Sequence, residues 1–363
     1  MSSELSTACR LLLVVWLSDA RVSSLETNAT LLLPESSVPV APSPDASVCW
    51  TSATSEELDR EERLRLAVER IGPPKSAFWR ARIVDHNAKS WDKFYHSHGS
   101  DFFHDRGWLE RDFPVLRRAL SQNFRLLEFG CGTGASFLPL LERLPRLRVT
   151  AFDFSARAIS LAQNHPTYVN NAHRACAFVG DGAAEGGVVE AIAAAHCAHF
   201  PPNSETASFD AVLMLYMISA MPLETHTRIF MNAADCLKPG GLLMLRDYGH
   251  GDEAQTRFGR GAKFCEDGSV MVRRDGTLAA FLRIEDLARA AAAAGLEETG
   301  YDGLVAPAAL SNLPRATVGS MPAPSAPTSG LSYLYRTYSN RATGENLQRV
   351  WVHGIWRKPS RVN

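Results

Sequence analysis

The residues of this chain best spaced for chemistry lie between Leu126 and Gly134, in the run LLEFGCGTG. Two leucines, an acid and an aromatic lead into Gly130, Gly132 and Gly134. That order describes a buried parallel strand entering a tight turn. Without Cβ atoms the glycines can take positive φ and let the backbone approach a ligand. A helix expected from Ala135 to Leu144 points its partly positive N-terminus at the same spot. A nucleotide-like cofactor fits such a turn. Gly130, Gly132 and Ala135 also satisfy the dinucleotide pattern, so the turn alone leaves the cofactor open. Asp153 ends a second strand-like run. It lies roughly twenty residues past the turn, where an acid accepts hydrogen bonds from a ribose diol.

These residues need a scaffold, and the rest of the chain reads as one. Strands are expected at Arg125–Phe129, Val149–Asp153, Ala177–Asp181 (ending in an acid), Phe209–Met217 and Leu242–Tyr248. Helices are expected at Ser155–Gln163, Val188–His199, Thr225–Leu237 and Ile284–Ala294, the last closed by Gly295. The nearly unbroken apolar run Phe209–Met217 suits a central strand buried on both faces. Strand and helix alternate, which predicts an α/β fold with a doubly wound, mostly parallel sheet. Leu334–Tyr338 and Val350–Trp356 should close it as an antiparallel hairpin, in a tail where Lys and Arg outnumber acids.

The domain plan has three parts. Residues 1–54 form a Ser/Pro/Ala/Thr-rich tail without a periodic apolar face, expected to be disordered. Residues 55–120 form a helical, aromatic-rich N-terminal cap. In it, Leu64, Val68 and Ile71 share one face of a helix that Gly72-Pro73-Pro74 stops. Trp91, Phe94 and Tyr95 share a face of another. That helix is either packing for the main domain or a lid over the cofactor. Residues 121–363 form the α/β domain, with a Pro-rich insertion at 306–330.

Composition narrows the function. A chain of 363 residues, 45% hydrophobic and 21% charged, is an ordinary globular protein. A net charge of −1 gives no global attraction for nucleic acid, so any such binding needs a local patch. The seven cysteines are scattered without a CxxC pair, which reads as reduced thiols and a cytoplasmic protein. The run Leu11–Leu17 is too short to span a bilayer, and no membrane association is expected. Arg10 and Arg21 flank it in the manner of a weak targeting segment, so a mitochondrion or other organelle is the alternative. His196 and His199 form an H-x-x-H pair with no further ligand placed to complete a metal site, and no metal is expected.

Longer stretches carry a resemblance. The glycine turn, the Asp153 strand end, Phe209-Asp210 and Lys238-Pro239-Gly240-Gly241 resemble a class I S-adenosylmethionine-dependent methyltransferase. WDKFYHSHGSDFFHDRGWL (91–109), RDYGHGDEAQTRF (246–258), VRRDGT (272–277) and VWVHGIWRKP (350–359) resemble, more narrowly, the family that makes 3-methylcytidine in tRNA anticodon loops. The resemblance implies a Rossmann-like, seven-stranded sheet, S-adenosylmethionine as cofactor and tRNA as substrate. It also implies an accessory partner such as a seryl-tRNA synthetase. By the same resemblance Trp91 and Tyr95 contact the cofactor. Gly130 faces its methionine part and Asp153 its ribose, and Gly132 is a further cofactor-binding residue. Asp181 faces its adenine, and Leu215 its adenine or sulfur side. Glu128 is placed for the methionine ammonium. Gly182 stands where the family has a larger apolar residue, which thins one wall of the adenine site. Met271 and Ala280 replace family aromatics. For catalysis the candidates are Asp247, to stabilise the cationic product ring, Tyr248, to stack on the base, and Arg246, to hold a phosphate or Asp247 itself. The rival readings are a methyltransferase for a small molecule or protein, a non-catalytic cofactor-binding subunit associated with RNA, and an NAD dehydrogenase. Glu128 and the LKPGG stretch fit the last poorly.

Overall fold

The computed structural model describes residues 55–99, 107–186, 188–200, 208–300, 330–339 and 346–360. The 1–54 tail, all but the last residue of the 306–330 insertion, and Pro201-Pro202 lie outside the described residues.

The cap begins with helix α1, Ser55–Ile71, which buries Leu64, Val68 and Ile71 along one side and stops at Gly72 (φ +88°). Helix α2, Ala77–Asp85, buries no residue. Helix α3, Asn87–His98, buries Trp91, Phe94 and Tyr95. A short helix α4, Leu109–Asp112, and a 3-10 turn, Pro114–Leu120, lead into the sheet. These last two belong to its core, because Leu109, Phe113 and Leu116 are fully buried against it.

The α/β part then runs β1 (Phe124–Phe129), α5 (Phe137–Arg143), β2 (Leu147–Asp153), α6 (Ala156–Gln163), α7 (Pro166–Asn170), β3 (Ala175–Val179), α8 (Val188–His199) and β4 (Phe209–Leu215). It continues with α9 (His226–Cys236), β5 (Leu237–Tyr248), α10 (Glu253–Thr256), β6 (Val270–Val272), β7 (Leu278–Ala280) and α11 (Ile284–Ala293). It ends with β8 (Glu297–Glu298), β9 (Leu331–Ser339) and β10 (Asn346–Arg357). The main sheet has the order β3-β2-β1-β4-β5-β10-β8, with β9 also on β10. The strands from β3 to β5 are parallel, and β10 is antiparallel to β5, with Trp351 opposite Tyr248 and His353 opposite Arg246. The expected doubly wound α/β sheet is therefore present.

Alternate residues of each strand face opposite layers. Leu127, Phe129, Val212, Met214, Leu243 and Leu245 meet α8, α9 and α11 through Ile192, Phe230 and Leu287. Leu126, Ala211, Leu213 and Met244 meet the other layer through Phe113, Phe137 and Leu140. Burial on both faces explains the unbroken apolar runs.

Strands β8 and β9 occupy the same side of β10. Glu298 pairs with Trp356 and Leu331 with Gly354. Between them, Thr299 N–H donates to the Ile355 carbonyl (3.0 Å), and Ile355 N–H donates to the Gly330 carbonyl (2.6 Å). One outer strand is thus interrupted where residues 300–329 leave and return. The two ends are so close that a Cβ at Gly330 would lie 2.3 Å from the Thr299 carbonyl oxygen.

Several boundaries differ from expectation. Strand β3 ends at Val179, so Asp181 lies in the turn beyond it rather than at the strand end. Helix α5 starts at Phe137 rather than Ala135, because residues 131–136 complete the turn. Strand β4 stops at Leu215, where Tyr216 takes φ +52°. Met271 and Ala280 are fully buried within the β6–β7 pair, so the two positions where family aromatics are replaced are core positions.

Candidate active site

A half-open cleft lies at the C-terminal ends of β1, β2 and β4. The glycine turn forms one edge. Cys131 N–H donates to the Phe152 carbonyl (3.0 Å), which ties the turn to β2. Gly130 and Gly132 have φ +64° and +54°. A Cβ at Gly130 would come within 2.1 Å of Met217 Cγ, and one at Gly132 within 2.9 Å of Tyr95 Oη. Only glycine leaves room for side chains to lie across this backbone.

Asp153 stands at the floor. Its Oδ2 accepts from Gly132 N–H and its Oδ1 from Ser155 N–H, both at 2.9 Å. Burial pushes its carboxyl up to about 6, against the pull of those two donors. Each oxygen keeps acceptor capacity for a hydroxyl donor. On the far wall, Asp181 lines the cleft and accepts from Ala183 N–H (2.9 Å), while Gly182 is backed by the Phe129 ring.

Helix α3 closes the top with Trp91 and Tyr95, whose ring centroids are 6.0 Å apart. It is docked at both ends of the contact. Asn87 Nδ2 donates to the Ala220 carbonyl (2.9 Å). Asp92 accepts from the Ser155 hydroxyl and from Arg157 N–H (3.1 Å), while Ser155 Oγ caps α6 by accepting from Ala158 N–H. Helix α3 is therefore fastened to the first turn of the helix that follows Asp153.

Asp247, at the end of β5, accepts from Ser219 N–H (2.9 Å) and Tyr248 N–H (2.8 Å). Burial raises its carboxyl to about 6. It anchors the turn Ile218–Ala220, which supplies Ala220 to the cleft.

A family model described as a methyltransferase domain matches residues 59–299. The tRNA N(3)-methylcytidine methyltransferase trm141 of Schizosaccharomyces pombe is 33% identical, over 78% of this chain and 97% of its own. The tRNA N(3)-cytidine methyltransferase METTL6 of Mus musculus is 37% identical, over 78% and 85%. That of Homo sapiens is 32% identical, over 85% and 90%. The chain belongs to the tRNA N(3)-cytidine methyltransferase family.

The cleft of this methyltransferase fits an adenosyl cofactor. It offers a floor carboxylate with spare acceptor capacity, a turn without Cβ atoms, and aromatic cover. Trp91, Tyr95, Gly130, Asp153, Asp181 and Gly182 line the cleft, and Gly132 borders it through its bonds to Asp153 and its contact with Tyr95. Glu128 and Leu215 are not lining residues. Glu128 is buried one residue before the end of β1, and Leu215 points into the core with Leu213. The next two residues, Tyr216 and Met217, line the cleft instead. Sequence reasoning missed Tyr216. The only signal was its place just past an apolar strand.

Strand alternation puts Arg246 and Tyr248 on one face of β5 and Asp247 on the other. Arg246 turns away from Asp247 to the opposite layer. There it pairs with Asp112 (2.6 Å) and lies over the Trp108 and Trp351 rings at 4.1 and 5.0 Å. Tyr248 is buried, with its ring 5.3 Å from Tyr216 and 6.2 Å from Phe281. The Arg349 guanidinium lies 5.6 Å from its centroid. Arg349 in turn makes a buried ion pair with Asp252 (2.9 Å), which also accepts from Val350 and Ala254 N–H. His196 contacts Thr150 and Arg125, whereas His199 contacts the Ala172 carbonyl. Among the described residues no group of three His, Cys, Asp or Glu is placed to hold a metal.

Proposed function

We propose that this methyltransferase transfers a methyl group from S-adenosylmethionine to N3 of cytidine in the anticodon loop of tRNA. The observation that carries the substrate is identity of 32–37% with curated tRNA N(3)-cytidine methyltransferases over most of both chains. A yeast relative, 32% identical, is named for cytosine 32 of threonine tRNA, which supports the anticodon loop.

Bound S-adenosylmethionine supplies a methyl group on a positively charged sulfur. Cytosine N3 carries a lone pair and no proton at neutral pH, so the protein need not remove one. Its work is to bind, orient and exclude water. Asp153 accepts the ribose hydroxyls, Asp181 the adenine amine, and the Gly130–Gly132 backbone admits the methionine end. Glu128 provides negative charge behind that end. Leu215 backs the residues that line the wall. Trp91 and Tyr95 cover the cofactor. Methylation leaves the ring cationic, and the buried charge of Asp247 favours that product while its bonds hold the cleft turn in place. Tyr248 supports the aromatic wall from behind. Arg246 fixes the outer layer through Asp112. The target base lies in a stacked loop and has to be splayed out to reach the cleft.

The test is mass spectrometry of tRNA nucleosides after incubating purified full-length protein with isotope-labelled cofactor. Labelled 3-methylcytidine is the expected product. Label in protein or small molecules alone would favour the rival transferase, and no label with intact cofactor binding would favour a non-catalytic subunit. A parallel reaction with a seryl-tRNA synthetase tests the accessory partner, whose presence should raise the yield on serine tRNA. We place the protein in the cytoplasm on its scattered cysteines, which imaging of the tagged full chain checks against an organelle. Among the described residues no helix is long and apolar enough to cross a membrane.

A further inference from the structure

Tyr216 is the one non-glycine among the described residues with positive φ, at +52°. L-residues disfavour this region, and a bulky ring there is uncommon without a functional or packing cause. The backbone is held in place by Tyr216 N–H donating to the Arg246 carbonyl (2.9 Å). This bond continues the β4–β5 pairing past the last regular residue of β4. The reversed φ breaks strand alternation at that point, and the ring lines the cleft while its remaining surface packs on buried core residues.

Its surroundings are specific. On one side are Asp153, Trp91 and Met217, which line the same cleft. On the other is the aromatic cluster of Tyr248, Phe281 and Trp351, with the Tyr248 centroid 5.3 Å away. Those three rings are buried, whereas Tyr216 is part-exposed. The face that can meet a flat ligand beside the methyl donor is therefore that of Tyr216, not of Tyr248.

We infer that Tyr216 is the seat of the target base: its ring is the wall on which the splayed cytosine rests, with N3 directed toward the cofactor cleft. This rests on the tRNA cytidine reading above. Stacking recognises any flat unpaired base, so Tyr216 sets position, while hydrogen-bonding groups set the choice of cytosine.

The test uses the full chain with Tyr216→Phe, Tyr216→Leu and Tyr216→Ala. Three quantities are measured: single-turnover methyl transfer to tRNA at saturating cofactor, cofactor affinity by calorimetry, and apo melting. Tyr216→Phe should keep the rate. Tyr216→Leu, which keeps bulk but has no flat face, should lose about 100-fold, the loss typical of a misplaced reactant. Its cofactor affinity and melting should stay close to the parent's. A Tyr216→Leu rate equal to the parent's overturns the proposal. So does a loss of cofactor affinity that matches the loss of rate, which would make Tyr216 a cofactor wall. A second readout does not need methyl transfer: an anticodon stem-loop with fluorescent pyrrolocytosine at the target position. Its emission should be quenched by the parent and by Tyr216→Phe but not by Tyr216→Leu. Quenching without transfer would overturn the assigned reaction and leave the seat standing. No quenching by the parent overturns the seat.

Discussion

Asp153 binds its proton more tightly in the folded chain than in the unfolded one, since burial lifts its carboxyl to about 6. The ionised form is the one able to accept both ribose hydroxyls. Cofactor affinity should therefore be complete above pH 6 and fall as pH drops through about 6, by up to tenfold per unit. Fold stability has the opposite sign. This carboxyl's contribution worsens as pH rises from about 4, the unfolded value, to about 6, and is flat beyond. Asp153→Asn should weaken binding strongly and abolish its pH dependence, as calorimetry between pH 5 and 7.5 would show. Unchanged affinity in a folded variant would remove Asp153 from the site. The Asp252–Arg349 pair calls for a different measurement. Both groups are almost wholly buried, and neither touches the cleft. Asp252→Ala removes the buried carboxylate of this ion pair and should cost roughly 3–5 kcal/mol in urea unfolding. Restoring stability with a second change, Arg349→Met, would show that the cost came from the buried positive charge losing this carboxylate.

Helix α3 joins the N-terminal helices to the cleft, and two of its residues separate covering the cleft from fastening the helix. Tyr95 lies over Gly132, while Asp92 faces away from the cleft onto Ser155 and Arg157. Tyr95→Ala should weaken cofactor binding far more than it lowers apo melting. Asp92→Ala removes a cap contact worth about 1 kcal/mol and should weaken cofactor binding by about fivefold without touching the ligand. An unchanged affinity would mean that the lid seats itself without this fastening. The sequence made much of this element visible: Trp91 and Tyr95 stand four apart, and helical periodicity puts them on one face. It also exposed the glycine turn and the strand before it, because a buried parallel strand needs an apolar run and a tight turn needs residues without Cβ. It did not expose the partners. Arg246 follows a strand's own alternation to Asp112, far back in the chain, and periodicity within one segment says nothing about what another brings to it. Nor did it expose Tyr216, whose backbone reverses an alternation that the apolar pattern extends to Met217.

At the scale of the whole molecule the sheet depends on its last strand. β10 lies between β5 and the β8–β9 pair, with Trp351, Val352, Ile355 and Trp356 buried. The fold is complete only when the C-terminal residues are in place. The neighbouring strand is put together differently: it is assembled from two pieces that meet at Thr299 and Gly330, each hydrogen-bonded to β10 in its own right. Joining Gly300 directly to Gly330, with 301–329 removed, should leave apo melting and cofactor affinity close to the parent's. A fall in melting of more than about 4 °C, the shift expected from losing roughly 2 kcal/mol or more, would show that the excised residues brace the sheet. The same geometry makes lengthening cheap, because each doubling of such an excursion adds only about 0.6 kcal/mol of closure entropy. The break in the outer strand is thus a point at which the sheet places little constraint on the length of the coding sequence.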